Sequence, residues 1–172
     1  MNLEKHLFKS DSFQELINEA ISFFCSTPME SLPPDEPEIP IYVGKAVLPE
    51  WRQGRTTTKE NEPALYRRLK EHSRSISTAN NLDLDDFYYR FMVFSLADSD
   101  LIGAVEAALI RKYQPLWNSL IDGFGNHDPG KGRYEQAKSE WDVLHSGREW
   151  ANRLKGKSPK MNEILRKIKN AT

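Results

Sequence analysis

The sequence predicts an α+β domain, a small antiparallel sheet flanked by helices, and three observations predict it. Apolar side chains recur at helical spacing in several segments. Two other runs, IPIYV and FYYRFMVFS, are dense in β-branched and aromatic residues. Helical and strand-like stretches then alternate along a chain of 172 residues, a length that suits one domain with a real core.

The first segment, SFQELINEAISFFC, has apolar residues at 13, 16, 17, 20, 21 and 24, the spacing of one helical face, and Ser12 with Glu15 forms a capping-box pattern at its start. Pro28, Pro33, Pro34, Pro37 and Pro40 follow and break any regular element, so residues 26–40 are expected to form an extended linker. IPIYV, bounded by proline and glycine, is the first strand-like run. After a polar loop rich in Arg and Thr, NEPALYRRLKEHSRSIS predicts a helix opening at Asn61, with Pro63 in its first turn, where a missing N–H costs little. Leu65, Leu69, His72 and Ile76 fall on one face of it. FYYRFMVFS, residues 87–95, is the stronger strand candidate, long enough to cross a sheet. DSDLIGAVEAALIRKYQ predicts a helix with an Asp or Ser cap, ending before Pro115. A glycine-rich loop, DGFGNHDPGKGR, leads to tryptophan-bearing segments and a basic amphipathic helix near residues 159–169. This gives one domain over 1–172: an N-terminal helix in 1–25, the linker, a core over 39–120, and a glycine-rich and basic helical region over 121–172.

Composition narrows the function classes. Cys25 is the only cysteine, so an intramolecular disulfide and a zinc site built on thiolates are both excluded, and a reducing, cytoplasmic setting is expected. No apolar stretch approaches the ~20 residues that span a bilayer, so no membrane partner is expected. The net charge of −1 conceals segregation: residues 45–77 hold eight basic and four acidic side chains, and residues 130–172 hold eleven and five. Two separate positive segments suit a phosphate-bearing partner, although solvated helix surfaces account for such runs equally well.

Three positions carry chemistry. Glu106 is surrounded on its helix by Ile102, Leu109, Ile110 and Tyr113, three, four or seven residues away. A carboxylate half-buried in such a stripe needs compensation, by reaching solvent at the edge, by pairing with an arginine, or from a divalent cation. Arg68 and His72 stand four apart on one helical face, an ordinary charged surface or a guanidinium and an imidazole facing a phosphate. Asn118, after PLW, is a residue type that commonly turns or caps the chain. The glycine-rich loop lacks the GKS or GKT ending of a phosphate loop, and His127 with Asp128 is too small a set for a metal site.

Order and spacing add to these single residues. YVGKA on a strand, R-x-x-x-H on a helix, an aromatic strand, and a helix with Glu followed twelve residues later by Asn together resemble the GIY-YIG nuclease superfamily. IYVGKA, LYRRLKEHSRSI, VEAALIRKYQPLWN, DGFGNHDPG and SEWDVLHSGR look more narrowly like the type II restriction endonucleases that are isoschizomers of SacII, over about residues 39–155. The resemblance implies Tyr42 as the second signature tyrosine with Gly44 beside the scissile phosphate, Arg68 as the transition-state arginine, and His72 as the histidine linked to the tyrosines. It also implies Glu106 as ligand of a single magnesium ion and Asn118 as the site asparagine. Lys45, Arg52, Arg55 and Arg67 are expected to contact DNA, as are Asn126, His127, Lys131 and Arg133 of the glycine-rich loop and its basic continuation.

The family pattern begins with a strand bearing its own tyrosine, and this sequence has no tyrosine before Tyr42. The first strand is therefore expected to be absent, and cleavage to be weakened or lost unless Tyr42, His72 or Tyr66 takes over as base. The implied function is magnesium-dependent hydrolysis of duplex DNA at a GC-rich palindrome, by a chain that pairs as a homodimer at least on DNA and has a DNA methyltransferase as its genetic partner. The alternatives are a weakened or inactive DNA-binding relative, or a nuclease of the repair or homing type.

Overall fold

The computed structural model describes residues 11–26, 39–47, 63–95 and 97–171. The order is α1 (Asp11–Ser26), α2 (Ala64–Thr78), α3 (Leu101–Tyr113), α4 (Glu140–Leu144) and α5 (Met161–Lys169). Single turns of 3-10 helix lie at Leu84–Asp86 and Ala151–Arg153, and a π-helical turn at Leu116–Leu120. α1 packs on α3, and α4 on α5. No helix among the described residues is long and apolar enough to cross a membrane.

The helices follow the periodicity of the sequence. α2 starts behind Pro63, whose carbonyl accepts from Arg67 N at 3.0 Å; Asn61 lies outside the described residues. α3 ends where Gln114 turns into the left-handed region at φ 47°, donating its N–H to Ile110 O at 2.8 Å just before the buried Pro115. Its N-cap is Asp100, which makes no side-chain cap bond; Ser95 and Asp98 instead bond each other in the turn before it. The linker prolines from Pro28 to Pro37 lie outside the described residues, as does most of the polar loop after the YVG run.

The expected antiparallel sheet does not form: no strand occurs among the described residues, and the structure there is helical. Residues 42–47 and 87–95 are present without a ladder. In the first run the backbone groups are taken by a helical turn: Ile41 O accepts from Trp117 N at 2.9 Å, and Val43 is bonded to a side chain. In the second, Tyr88, Tyr89, Phe91 and Val93 are exposed and Arg90, Met92 and Phe94 only half-buried, so no residue of the run is fully buried against a second layer. Aromatic and β-branched residues favour strands by packing on neighbours, and without them the preference has nothing to act on.

The core gathers Ile76 and Ala79 from the end of α2, Trp117 and Ile121 from around the π turn, Phe124 from the glycine-rich loop and Trp141 from α4. Trp141 is fully buried, edge-on to Trp117 with ring centroids 5.7 Å apart. Tyr42 packs against this cluster from the side, which places the YVG run on the wall of the core.

Candidate functional site

Extended backbone points the N–H and C=O of one residue to the same side, so a single carboxamide can satisfy both. Asn118 does this for Val43: its Oδ1 accepts from Val43 N at 2.7 Å and its Nδ2 donates to Val43 O at 2.8 Å. The π turn makes the contact, because Trp117 enters the core while Asn118, the next residue, faces the neighbouring run. Tyr42 is thereby held between two fixed residues, Ile41 and Val43.

The Tyr42 ring folds back over Gly44, where a Cβ would stand 2.6 Å from Cε1 of the ring. On the other side is Gly125, where a Cβ would lie 2.8 Å from the Tyr42 hydroxyl and 3.1 Å from Arg68 Nη2. Any larger residue at either position would displace the phenol or the guanidinium.

Arg68, on α2, reaches the Tyr42 hydroxyl beside Gly125. Its Nη2 donates to the Tyr42 hydroxyl at 3.2 Å and lies 3.5 Å from Gly125 O, while Nη1 donates to Glu71 Oε2 at 3.2 Å and meets His127 Nε2 at 3.1 Å. About one fifth of its side chain is exposed. One turn further along α2, His72 stacks on Phe124 (4.6 Å between centroids, 14° between planes) and presents its ring edge-on to Tyr42 at 5.2 Å. Burial first, and then the charges of Arg68, Arg148 and His127, pull this imidazole from its ordinary 6.5 down to about 3. His72 is therefore neutral at physiological pH.

The loop opposite α2 is pinned by a buried ion pair. Arg148, 4% exposed, donates from Nη1 to Gly123 O at 3.0 Å and Asp142 Oδ1 at 3.3 Å, and from Nη2 to Phe124 O at 2.5 Å. Its guanidinium lies 4.0 Å from the centre of the Trp141 ring. Burial pushes its pKa down and Asp142 pulls it back up. Further along, Asp128 accepts from Gly130 N at 2.9 Å, from the Tyr134 hydroxyl at 3.0 Å and from Arg153 Nη2 at 2.6 Å.

Glu106 on α3 is compensated by a lysine: Lys45 Nζ lies 2.5 Å from its Oε2, with both side chains partly buried. The stripe of apolar neighbours on α3 thus has a charged partner from the YVG run, not the arginine the sequence suggested. No cluster of three or more His, Cys, Asp or Glu side chains able to hold a metal occurs among the described residues. The Glu106 carboxylate keeps a second oxygen outside its Lys45 contact, and one carboxylate oxygen completed by waters and phosphate suits magnesium.

Tyr42, Arg68 and His72 are thus brought into one cluster, Asn118 holds its wall, and Lys45 ties the same run to Glu106. Asn126, Lys131 and Arg133 are exposed on the loop, and Arg67 is half-buried on α2. Arg52 and Arg55 lie outside the described residues. Glu71, Phe124, Gly125 and Arg148 complete the cluster and were not singled out from the sequence. A large aromatic inside a glycine-rich loop, GFG, was the available signal for Phe124, since a free loop has no local use for one.

A guanidinium, a phenol and an imidazole in one cluster, with the Lys45 ammonium on the same run as the phenol and its Glu106 partner on α3, suit an anionic substrate. A family model described as the Eco29kI GIY-YIG domain matches residues 27–172. The chain belongs to this family, a GIY-YIG restriction endonuclease family, and DNA is the substrate class that membership implies. No curated protein matches the chain.

Proposed function

We propose that this chain is a metal-dependent DNA endonuclease of the restriction type, cutting duplex DNA at a specific palindromic site. The observation that carries the reading is the Arg68 guanidinium held against the Tyr42 hydroxyl between Gly44 and Gly125, within a chain of this family. Backbone without side chains on both sides leaves room for the phenol and the guanidinium to meet, and Arg68 can exchange its contacts with Glu71 and His127 for phosphate oxygens. In the transition state its fixed donors stabilise the charge growing on those oxygens. Tyr42 holds Arg68 in line, and neutral His72, locked between Phe124 and Tyr42, holds the phenol in place.

Glu106 is the residue that would hold a magnesium ion, which when bound supplies Lewis-acid stabilisation of phosphate charge. Lys45 then orients the carboxylate or passes to a DNA phosphate. The exposed Asn126, Lys131 and Arg133 supply loop contacts to DNA, and a palindromic site calls for a two-fold pair of chains on DNA. A methyltransferase protecting the same site completes such a system, and the likeness to the SacII isoschizomers makes a GC-rich site the first to try.

The test is cleavage of methyltransferase-free plasmid and genomic DNA with magnesium. Discrete fragments are expected from wild type, with losses of ~100-fold or more in Arg68→Ala and Glu106→Gln. A wild-type chain that binds duplex DNA and leaves it intact with magnesium present would turn the assignment to a non-catalytic DNA-binding relative.

A further inference from the structure

The nuclease reading needs a group that takes a proton from the attacking water, and residues 1–41 hold no tyrosine that could supply it. Two substitutes are poorly placed. His72 is stacked on Phe124, and its lowered pKa makes it a weak base. Tyr66 is two residues from Arg68 on α2, where side chains do not face each other, and its ring sits under Lys70. The third, Tyr42, has its hydroxyl oxygen engaged by Arg68.

We propose that His127 is the general base of this chain, an inference that rests on the nuclease reading above. Arginine only donates, so the imidazole nitrogen 3.1 Å from Arg68 Nη1, Nε2, must present its lone pair. The ring proton then sits on Nδ1, 3.7 Å from Glu71 Oε2, beyond hydrogen-bond distance but close enough for the carboxylate charge to stabilise the imidazolium that proton transfer creates. The side chain is well exposed, so water reaches it. Its loop is nonetheless fixed on both sides, by Arg148 on the carbonyls of Gly123 and Phe124 and by the Gly130, Tyr134 and Arg153 contacts to Asp128.

When a phosphate takes over the Nη1 donors of Arg68, Nε2 is released beside the group that grips that phosphate, while Nη2 stays on the Tyr42 hydroxyl. Nε2 then takes one proton from a water molecule, the oxygen lone pair forms the new P–O bond, and the P–O bond to the sugar breaks. Its electron pair leaves on the sugar oxygen, which is protonated by solvent.

Steady-state cleavage of a cognate duplex by full-length His127→Ala and His127→Gln tests this, with metal-free DNA affinity by fluorescence anisotropy and thermal melting alongside. Glutamine keeps an oxygen that can accept from Arg68 but is no base. Both variants are expected to lose ~100-fold or more in kcat, with melting close to wild type and any loss of affinity small beside the loss in kcat. Added imidazole should restore His127→Ala by about tenfold or more, as an exogenous base does, and leave wild type unchanged. His127→Gln cutting near the wild-type rate, or His127→Ala failing to respond to imidazole, overturns the assignment and leaves the nuclease reading standing. A wild-type chain without cleavage overturns both.

Discussion

Two arginines flank Phe124 and His72, and they are held in different ways. Arg148 is buried, with two backbone carbonyls, a carboxylate and the Trp141 face as fixed partners. Arg68 is more open, and its partners are a phenol, a carboxylate and an imidazole, the last of them largely exposed, together with one distant carbonyl. The contrast separates a charge that builds the site from one that is available to a substrate. A guanidinium bound to backbone carbonyls in the core cannot leave them without opening the loop. One bound to side chains at a cleft can trade them for phosphate oxygens of equal or greater strength.

The largest effect should come from breaking the buried pair. Arg148→Met keeps much of the side-chain volume but leaves Asp142 with Ser139 as its remaining side-chain partner and the Gly123 and Phe124 carbonyls without their donor. Removing one member of a buried ion pair costs about 3–5 kcal/mol. Urea denaturation of Arg148→Met and Arg68→Met should show that loss in the first and a clearly smaller one in the second, whose Glu71 and His127 partners are partly exposed. Equal losses would erase the distinction between the two arginines.

A smaller effect is expected at the wall that carries Tyr42. Asn118→Ala orphans the N–H and C=O of Val43, which costs about 2 kcal/mol if water does not replace the amide. Asn118→Asp keeps the acceptor and loses the donor, so it should recover part of that at most. If denaturation shows the two variants to be as stable as wild type, residues 41–43 are held by something other than this amide.

These features were unequally legible in the sequence. The helices were readable because apolar spacing is local, and α1, α2, α3 and α5 lie where it placed them. The strands were misread because a strand is defined by a partner: IYV found an asparagine amide and a π turn, and residues 88–93 expose their aromatic side chains. Motif order puts Tyr42, Arg68 and His72 in one site but links His72 to the tyrosine, and the Arg68 contact with Tyr42 across 26 residues is not legible in it; Arg148 stands in the sequence as a positive charge of a basic segment at the end of SEWDVLHSGR. Nothing in SEWDVLHSGR distinguishes a buried arginine from an exposed one. Glu106 was identified as needing compensation, and the compensating charge, Lys45, had been assigned to DNA.

His72 reports on both arginines, since both guanidiniums depress its pKa after burial has done so. The folded value of about 3 lies below the ordinary 6.5, so between the two the unfolded chain binds a proton that the folded chain does not. Stability is then full above about 6.5 and falls as pH drops through that window. His145, lowered by burial and by Arg148, adds to the same slope, so His72 must be isolated by substitution. His72→Phe preserves an aromatic stack on Phe124 and removes the titrating nitrogen, and its urea stability should fall less steeply between pH 6.5 and pH 4 than that of wild type. Arg68→Met should give an intermediate slope, because burial is the leading cause and remains when that charge is gone. If Arg68→Met flattened the curve as completely as His72→Phe, charge and not burial would dominate at His72. Arg68 would then be a structural charge of the same kind as Arg148.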